Sequence, residues 1–232
     1  MQSQQRLGPR FSDLRNPTRF TFVRHGESVA NSQRVIQGHA NSQLSESGRE
    51  HARAAAAWLA EQKVDIVFSS PLDRSRETAE IIAGGIRVPD PTVMDDLKEL
   101  DTGSFSGLSL SQASTDDPDL YSRFRIHSWD AVPGAESRAS LLNRARTVWD
   151  TLIDCANDGR RHIVCVSHGG MLQWLIKSTF PSPDHRWMPV FRMANCGISV
   201  LTAESTSADH DGDLPDGTGF VAYWDLINYV PY

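Results

Sequence analysis

The chain has 232 residues, of which 39% are hydrophobic and 22% charged, a balance typical of one soluble α/β domain. Its formal net charge of −6 disfavours a general nucleic-acid or membrane-surface binder, because either would carry a basic face. We therefore expect no nucleic-acid partner and no membrane partner. An anionic substrate remains compatible with this charge, since a few arginines can form a local cationic pocket on an acidic protein.

The cysteines show no metal-binding spacing, and the N-terminal segment shares the arginine-rich balance of a transit peptide but has no clear apolar face, so whether it is a targeting segment is left open. Cys155, Cys165 and Cys196 are widely spaced and form no CxxC motif, which indicates free thiols in a reducing compartment. No apolar run approaches transmembrane length, and residues 1–17 lack the apolar segment of a secretory signal. We expect a cytoplasmic protein with a flexible extension over residues 1–18 and one domain over residues 19–232.

A short buried strand is predicted at the start of this domain. Phe20, Phe22 and Val23 form an aromatic and β-branched run without a breaker, and Arg24-His25-Gly26 follows it directly. In open α/β sheets, ligands bind at the carboxyl ends of the strands, so this Arg-His pair stands where it can act. Gly26 has no Cβ and is expected to let the backbone approach a ligand.

An arginine pair lies at the start of the second predicted helix. The first helix is predicted from a Ser45 cap to about residue 62, and residues 65–69 predict the next strand. Arg74 and Arg76 then open a helix over residues 74–83, where free N–H groups and the helix dipole already attract anions. An arginine in this position adds a planar fork that can hold two phosphate oxygens.

Three acidic residues, Asp96, Glu99 and Asp101, follow a predicted edge strand at residues 92–94. Each is a candidate proton donor or acceptor. Residues 108–135 come next and are polar and aromatic, with a helix predicted at about residues 118–127. We expect this insertion to form either a lid over the site or a simple cap on the fold.

A second histidine ends a second buried strand. The longest helix is predicted to run to about residue 156, and residues 162–167 predict the most strongly buried strand. His168 follows that strand, and Gly169-Gly170 opens a helix to about residue 177. This repeats the arrangement at His25, so the pattern predicts that the two histidines share a phosphate site.

The last two strands are predicted at residues 195–201 and 220–226. The segment between them is acidic and rich in serine and glycine, with alternating Asp209, Asp211 and Asp213. Its glycine and glutamate positions do not match those of a calcium loop. We predict a solvated hairpin loop there.

Together these stretches resemble the histidine phosphatase superfamily (branch 1), also called the phosphoglycerate mutase-like family, over about residues 20–202. The family pattern Arg-His-Gly-x-Ser-x-x-Asn matches Arg24, His25, Gly26, Ser28 and Asn31. The pattern Ser-x-Leu-x-Arg-x-x-x-Thr matches Ser70, Leu72, Arg74 and Thr78, and therefore selects Arg74 over Arg76. The pattern Glu, then Gly-x-aromatic-x-Gly, matches Glu99, Gly103, Phe105 and Gly107.

The resemblance implies a doubly wound three-layer α/β/α sandwich with a mostly parallel sheet. It implies that His25 attacks phosphorus, that Arg24, Arg74 and His168 stabilise the transferring group, and that Glu99 is the acid and base. It also implies substrate contacts from Arg24, Ser28, Asn31, Gly38, Arg74, Glu99, His168 and Gly169. Neither a metal nor a cofactor is implied, because the cations take that role.

The resemblance leaves three functions open. The first is a phosphomonoesterase acting on a small phosphorylated metabolite. The second is a cofactor-dependent phosphoglycerate mutase, which is disfavoured because this chain has Leu100 and Thr102 where mutases carry the Arg and Tyr of Glu-Arg-x-Tyr-Gly. The third is a phosphoprotein phosphatase or a non-catalytic module on the same fold. The oligomeric state is left open.

Overall fold

The computed structural model describes residues 8–180, 191–205 and 219–232, and within them six strands form one mixed sheet in the order β3-β2-β4-β1-β5-β6. The strands are β1 Thr18–Arg24, β2 Ile66–Ser69, β3 Thr92–Val93, β4 His162–Ser167, β5 Ile198–Ser205 and β6 Phe220–Tyr229. The first four run parallel to one another, and β5 and β6 are antiparallel to their neighbours. The prediction of a mostly parallel sheet is confirmed.

Helices cover both faces of this sheet. They are α1 Val29–Ser32, α2 Glu46–Ala60, α3 Asp73–Ile86, α4 Leu110–Asp116, α5 Pro118–His127, α6 Arg138–Asn157 and α7 Gly169–Lys177. Side chains of β4 alternate between two cores, with Ile163 and Cys165 on the α6–α7 side and Val164 and Val166 on the α2–α3 side. This alternation gives the predicted three-layer α/β/α sandwich.

Trp149 of α6 lies at the centre of the first core. Three phenylalanine rings, those of Phe11, Phe20 and Phe22, contact it edge-on with ring centroids 5.3, 5.5 and 5.3 Å away. Its indole N–H donates to the carbonyl of Leu175 at 3.2 Å. A buried Trp with its polar atom paired in this way contributes several kcal/mol, about 3–5 by the usual cost of truncation to alanine.

The described part of the N-terminal extension packs on the domain. Besides the contact of Phe11 with Trp149, Leu14 is buried, and the backbone N–H of Arg15 donates to Asn157 Oδ1 at 2.9 Å. These contacts connect residues 8–17 to the domain, and the flexibility of the extension over residues 1–18 stays a prediction. Residues 1–7 lie outside the described part of the chain.

The insertion over residues 108–135 forms a cap with a small core of its own. It contains α4, α5 (whose predicted bounds are confirmed) and a 3-10 turn at Ser128–Ala131. Phe105, Leu120 and Val132 are buried in this core, and Ile36 packs against it from an earlier loop. The cap is thereby joined to the loop that precedes α2; whether it moves as a lid stays a prediction.

Three boundaries of the last two strands differ from the sequence prediction. The strand β5 begins at Ile198 rather than at residue 195, because Cys196 takes a positive φ of 49° and donates its N–H to the Arg24 carbonyl. Pairing of β5 with β6 extends both strands, to Ser205 and Tyr229. The predicted hairpin loop, with Asp209, Asp211 and Asp213, falls largely outside the described residues.

No helix in the described part of the chain combines the length and apolar character needed to cross a bilayer.

Candidate active site

Three strand ends meet at the site. The strands β1 and β4 are parallel neighbours, with Arg24 in register with Ser167, and β2 flanks β4 on its other side. The residues that follow these strands therefore converge, and the rings of His25 and His168 lie with their centroids 5.0 Å apart. Arg24, His25, Arg74 and Glu99 line one cavity of about 230 Å³.

The ring of His25 is held in one orientation and one tautomer. Its Nδ1 lies 2.6 Å from the carbonyl oxygen of Gly26, which can only accept, so Nδ1 carries the proton and Nε2 keeps its lone pair. Burial lowers the pKa of His25 well below its usual value, and the charges of Arg24 and Arg74 lower this pKa further. His25 is therefore a neutral imidazole with a free Nε2.

The two arginines are anchored by backbone carbonyls and not by acidic side chains. Arg74 is 1% exposed and donates from its two terminal nitrogens to the carbonyls of Ala40 and Gly38, at 2.8 and 2.9 Å. The open fork expected from the sequence is thus partly occupied, and its buried Nε is the atom without a partner. Burial lowers the pKa of Arg74 to about 10, so it remains cationic at neutral pH.

Arg24 and His168 each have one buried nitrogen without a hydrogen-bond partner within the described residues. Arg24 donates from Nη1 to the carbonyl of Met193, whereas its buried Nε has no hydrogen-bond partner among the described residues. His168 Nε2 lies 2.8 Å from Ser70 Oγ, and its buried Nδ1 likewise has no partner there. Ser70 Oγ also accepts the N–H of Leu72, but a hydroxyl oxygen can accept two hydrogen bonds, so its contact with Nε2 fits either tautomer of His168. Nδ1 is a donor in the tautomer whose Nε2 accepts from Ser70.

Burial keeps His168 neutral as well. Its pKa is lowered well below its usual value, first by burial and then by the neighbouring His25, Arg74 and Arg24. The resemblance implies that His168 stabilises the transferring group. The low pKa indicates that it would do so as a neutral imidazole and not as a cation.

Glu99 sits at the N-terminus of α7. Its carboxylate accepts the backbone N–H groups of Leu100 at 2.9 Å, Met171 at 3.1 Å and Gly170 at 3.2 Å. Two of these donors belong to the first turn of the helix, where the dipole favours an anion. The competing carboxylates of Asp96 and Asp101 do not line the cavity, and Asp101 accepts the N–H of Gly103 at 2.9 Å.

Of the two polar residues predicted to contact substrate in the loop after β1, Asn31 lines the cavity and Ser28 does not. The Ser28 hydroxyl is fully buried, accepts the N–H of Asn31 and donates to Gln37, so it caps α1 and does not line the cavity. Asn31 does line the cavity, with its Oδ1 held by Ser28 N–H and by Asn195. Gly38 also lines it, with its carbonyl bound to Arg74.

Two glycines act differently from the sequence expectation. A Cβ on Gly26 would lie 2.4 Å from the carbonyl oxygen of Gly48, so Gly26 permits close packing of β1 against α2 rather than approach to a ligand. Gly169 is not among the cavity-lining residues, whereas Gly170 is, and a Cβ on Gly170 would lie 2.5 Å from Glu99 Oε1. The second glycine of the pair therefore makes room for Glu99.

Arg144 is a residue that the sequence analysis misses. It forms a two-point ion pair with Glu136, and its guanidinium also donates to the carbonyls of Asp96, Lys98 and Glu99. This one side chain on α6 therefore fixes the backbone that presents Glu99. The Gly-x-Glu-Ser turn at Glu136 signals a helix start, but nothing local indicates its arginine partner eight residues later.

Further missed residues form the outer wall of the cavity. Val35, Ile36, Gln37, Leu100, Thr102 and Trp129 line it together with the phosphate-site residues. Thr102 is 4% exposed, and its Oγ1 has no hydrogen-bond partner among the described residues. Three elements far apart in sequence supply this wall, so no short motif could have identified it.

Within the described residues, no group of three or more His, Cys, Asp or Glu side chains is placed to hold a metal ion. Two permanent cations, the neutral imidazole of His25 and one carboxylate line the cavity; His168 is not a lining residue, but its ring lies 5.0 Å from that of His25. Within the described residues, four buried polar atoms in and beside the cavity have no hydrogen-bond partner: Arg24 Nε, Arg74 Nε, His168 Nδ1 and Thr102 Oγ1. Such a set suits a tetrahedral oxyanion, whose several oxygens accept hydrogen bonds from different directions.

Comparison with known proteins agrees with this arrangement. Residues 20–210 match the family model of the histidine phosphatase superfamily (branch 1). The chain belongs to this superfamily. The match covers both histidine segments, the Arg74 helix and the Glu99 segment.

Three related proteins illustrate the match. Phosphoglycerate mutase-like protein 4 of Arabidopsis thaliana is 38% identical over 182 residues, 77% of this chain and 76% of that protein. The metal-independent phosphoserine phosphatase of the same plant is 35% identical over 159 residues, 67% of this chain and 66% of that protein. The native structure of mycobacterial glucosyl-3-phosphoglycerate phosphatase Rv2419c superposes with a TM-score of 0.74 and 25% identity, covering 92% of this chain and 99% of that one.

Three mycobacterial relatives are longer, and the matched part of this chain covers 44% of the length of each. The family and its phosphatase members identify this chain as a phosphatase of the histidine phosphatase superfamily. The predicted family, fold class and enzyme class are therefore confirmed.

Proposed function

We propose that the chain is a metal-independent phosphomonoesterase that hydrolyses a small phosphorylated metabolite through a phosphohistidine at His25. One observation carries this proposal. His25, Arg24 and Arg74 line one cavity, the His168 ring lies 5.0 Å from that of His25, and Arg24 Nε, Arg74 Nε and His168 Nδ1 are buried without a hydrogen-bond partner within the described residues. A buried donor that lacks a partner costs roughly 1–3 kcal/mol, so several around one nucleophile suggest that a ligand supplies the acceptors.

In the first step, the Nε2 lone pair of His25 forms a bond to phosphorus and the ester P–O bond breaks. The departing oxygen takes a proton from the Glu99 carboxyl group. Arg24, Arg74 and His168 donate to the non-bridging oxygens, where transition-state charge accumulates. The neutral state of His25 matters here, because a protonated imidazole has no lone pair at Nε2.

In the second step, water replaces the histidine. Glu99 takes a proton from the attacking water, a P–O bond forms, and the P–N bond breaks to regenerate neutral His25 and release inorganic phosphate. The three backbone N–H groups that hold Glu99 keep its carboxylate next to the cavity for both proton transfers.

The names of two relatives, a phosphoserine phosphatase and a glucosyl-3-phosphoglycerate phosphatase, support a small-molecule substrate for this chain. A mutase is disfavoured, because Leu100 and Thr102 occupy the positions where mutases carry an arginine and a tyrosine. A phosphoprotein phosphatase fits less well, because the reactive Nε2 belongs to a side chain that is only 2% exposed in a cavity of about 230 Å³.

The test is trapping of the phosphoenzyme. Brief incubation with a phosphorus-labelled monoester, followed by denaturation, should leave an acid-labile, alkali-stable label on His25. His25→Ala should abolish both the label and turnover, whereas His127→Ala, on the exposed cap helix, should keep both. Label on another residue, or full turnover by His25→Ala, would contradict the proposal.

A further inference from the structure

The cavity has two parts of opposite character. Arg74 and His25 are buried and form its charged part. Val35, Ile36 and Trp129 are half-buried and form an apolar part, completed by Leu100. A phosphoryl group bound at His25 must therefore direct its ester oxygen and the attached alcohol along this second part.

The apolar wall is preformed by the cap. The Trp129 ring packs against Phe124 with centroids 5.0 Å apart and against Phe105 at 6.2 Å. Ile36 packs on the same cluster, and its N–H donates to the carbonyl of Leu108 at 2.8 Å. These contacts support Trp129 and Ile36 from behind, so their apolar surfaces are available to the alcohol without rearrangement.

The cations near this wall are already committed. Of the lining residues that the structure describes, Arg24 and Arg74 are the permanent cations, and both belong to the phosphate site. Arg144 is saturated by Glu136 and three carbonyls, and Lys98 pairs with Asp95 at 3.0 Å. Among the residues that the structure describes, a carboxylate on the alcohol would therefore lie against apolar side chains and Glu99 without a counter-charge.

Thr102 adds one neutral polar contact to this wall. It is 4% exposed and lines the cavity, and its Oγ1 has no hydrogen-bond partner within the described residues. A hydroxyl or ether oxygen of the alcohol could satisfy it, whereas a purely apolar alcohol would leave it unpaired.

We infer that the natural substrate is the phosphate ester of an uncharged alcohol with an apolar face, and that esters bearing a carboxylate beside the phosphate are rejected. Trp129 and Ile36 contact the apolar face, and Thr102 contacts a neutral oxygen. This inference rests on the proposed function. It separates this chain from the relatives whose names specify phosphoglycerate or phosphoserine.

The first test compares kcat/KM for benzyl phosphate, glycerol 3-phosphate and 3-phosphoglycerate. The last two share a carbon skeleton and differ in a hydroxymethyl group against a carboxylate. We expect 3-phosphoglycerate to be worse than glycerol 3-phosphate by about ten-fold or more. Benzyl phosphate fills the apolar part of the cavity but leaves Thr102 unpaired, and it should also exceed 3-phosphoglycerate. Equal rates for the two three-carbon esters would overturn the inference.

A variant of the apolar wall and a matched control test whether this wall causes the substrate preference. Trp129→Ala should lower kcat/KM for benzyl phosphate by about ten-fold while changing that for glycerol 3-phosphate little, as expected for a lost apolar contact. The control is Tyr121→Ala, another aromatic of the same cluster that does not line the cavity. Equal losses on all substrates for Trp129→Ala would contradict a specificity role.

A gain of function tests the missing counter-charge independently. Ile36→Arg should raise the ratio of 3-phosphoglycerate to glycerol 3-phosphate turnover by about ten-fold, since it supplies a cation to the wall. Leu110→Arg, at a cap position that is 46% exposed, adds the same charge outside the cavity and should leave the ratio unchanged. If instead no monoester is hydrolysed, p-nitrophenyl phosphate included, or if His25→Ala retains the activity, the proposed function fails and this inference fails with it.

Discussion

The ion pair between Arg144 and Glu136 should support both the fold and the position of Glu99. The two side chains are 16% and 12% exposed, and Arg144 Nε lies 2.9 Å from Glu136 Oε1. Arg144→Met would leave that carboxylate with weaker donors and would remove the donors to the carbonyls of Asp96, Lys98 and Glu99. Breaking a buried pair on one side costs about 3–5 kcal/mol, and partial exposure places the expected loss near the lower value.

A matched control exists on the same helix. Arg138 pairs with Asp130 at 2.7 Å, but these side chains are 44% and 30% exposed. Arg138→Met should therefore change the free energy of unfolding by at most about 1 kcal/mol. Urea denaturation followed by tryptophan fluorescence measures both variants, with unchanged m-values showing that the two unfolding transitions are comparable.

The double variant isolates the pair from its surroundings. Glu136→Gln with Arg144→Met should cost less than the sum of the two single changes, because the partner charge is no longer left unpaired. Because Arg144 positions Glu99, Arg144→Met should also lower kcat/KM, and it should do so more for alkyl phosphates than for p-nitrophenyl phosphate. If Arg144→Met costs no more than Arg138→Met, or if the single effects add, this account of the pair is wrong.

Three further predictions follow from the site and the core. Glu99→Gln should reduce hydrolysis of alkyl phosphates by roughly a hundred- to ten-thousand-fold. It should affect p-nitrophenyl phosphate far less, since nitrophenolate departs without a proton. If Asp101→Asn shows this difference between substrates and Glu99→Gln does not, the acid is misassigned. Phosphatase activity should survive dialysis against EDTA, and loss of activity with rescue by a divalent ion would contradict the mechanism. Burial lowers the pKa of His162 to about 4, so between about pH 6.5 and 4 the unfolded chain binds the extra proton and the folded chain does not. The free energy of unfolding should therefore fall as pH decreases through this window, and His162→Gln, compared with wild type in urea titrations, should remove roughly 3 kcal/mol of that fall.

Much of the fold follows from patterns that are local in the sequence. Continuous apolar runs predict β1 and β4, and the alanine-rich face of α2 predicts which side it buries. The convergence of His25 and His168 also follows, because residues after parallel strands meet at one sheet edge. These features depend on spacing within one element, which the sequence displays directly.

The hydrogen-bond partners and charge states within the site depend largely on residues that are distant in the sequence, so local patterns do not predict them. The Ser28 hydroxyl is captured by the capping box of α1, and a serine three residues before Asn31 is the signal that indicates it. The terminal nitrogens of Arg74 are bound by carbonyls of a loop more than thirty residues away, which no spacing rule anticipates. The neutral state of His168 likewise depends on the burial that the whole fold imposes.

The same burial explains why the site can be both reactive and stable. Two arginines would be costly in a dry cavity, but carbonyls of Gly38, Ala40 and Met193 hold their outer nitrogens. Their charges in turn favour the neutral form of His25, which keeps its Nε2 available near neutral pH. Within the described residues, Arg24 Nε, Arg74 Nε and His168 Nδ1 are buried without a partner. A bound phosphoryl group would satisfy such donors, so substrate binding would relieve this cost in the free protein.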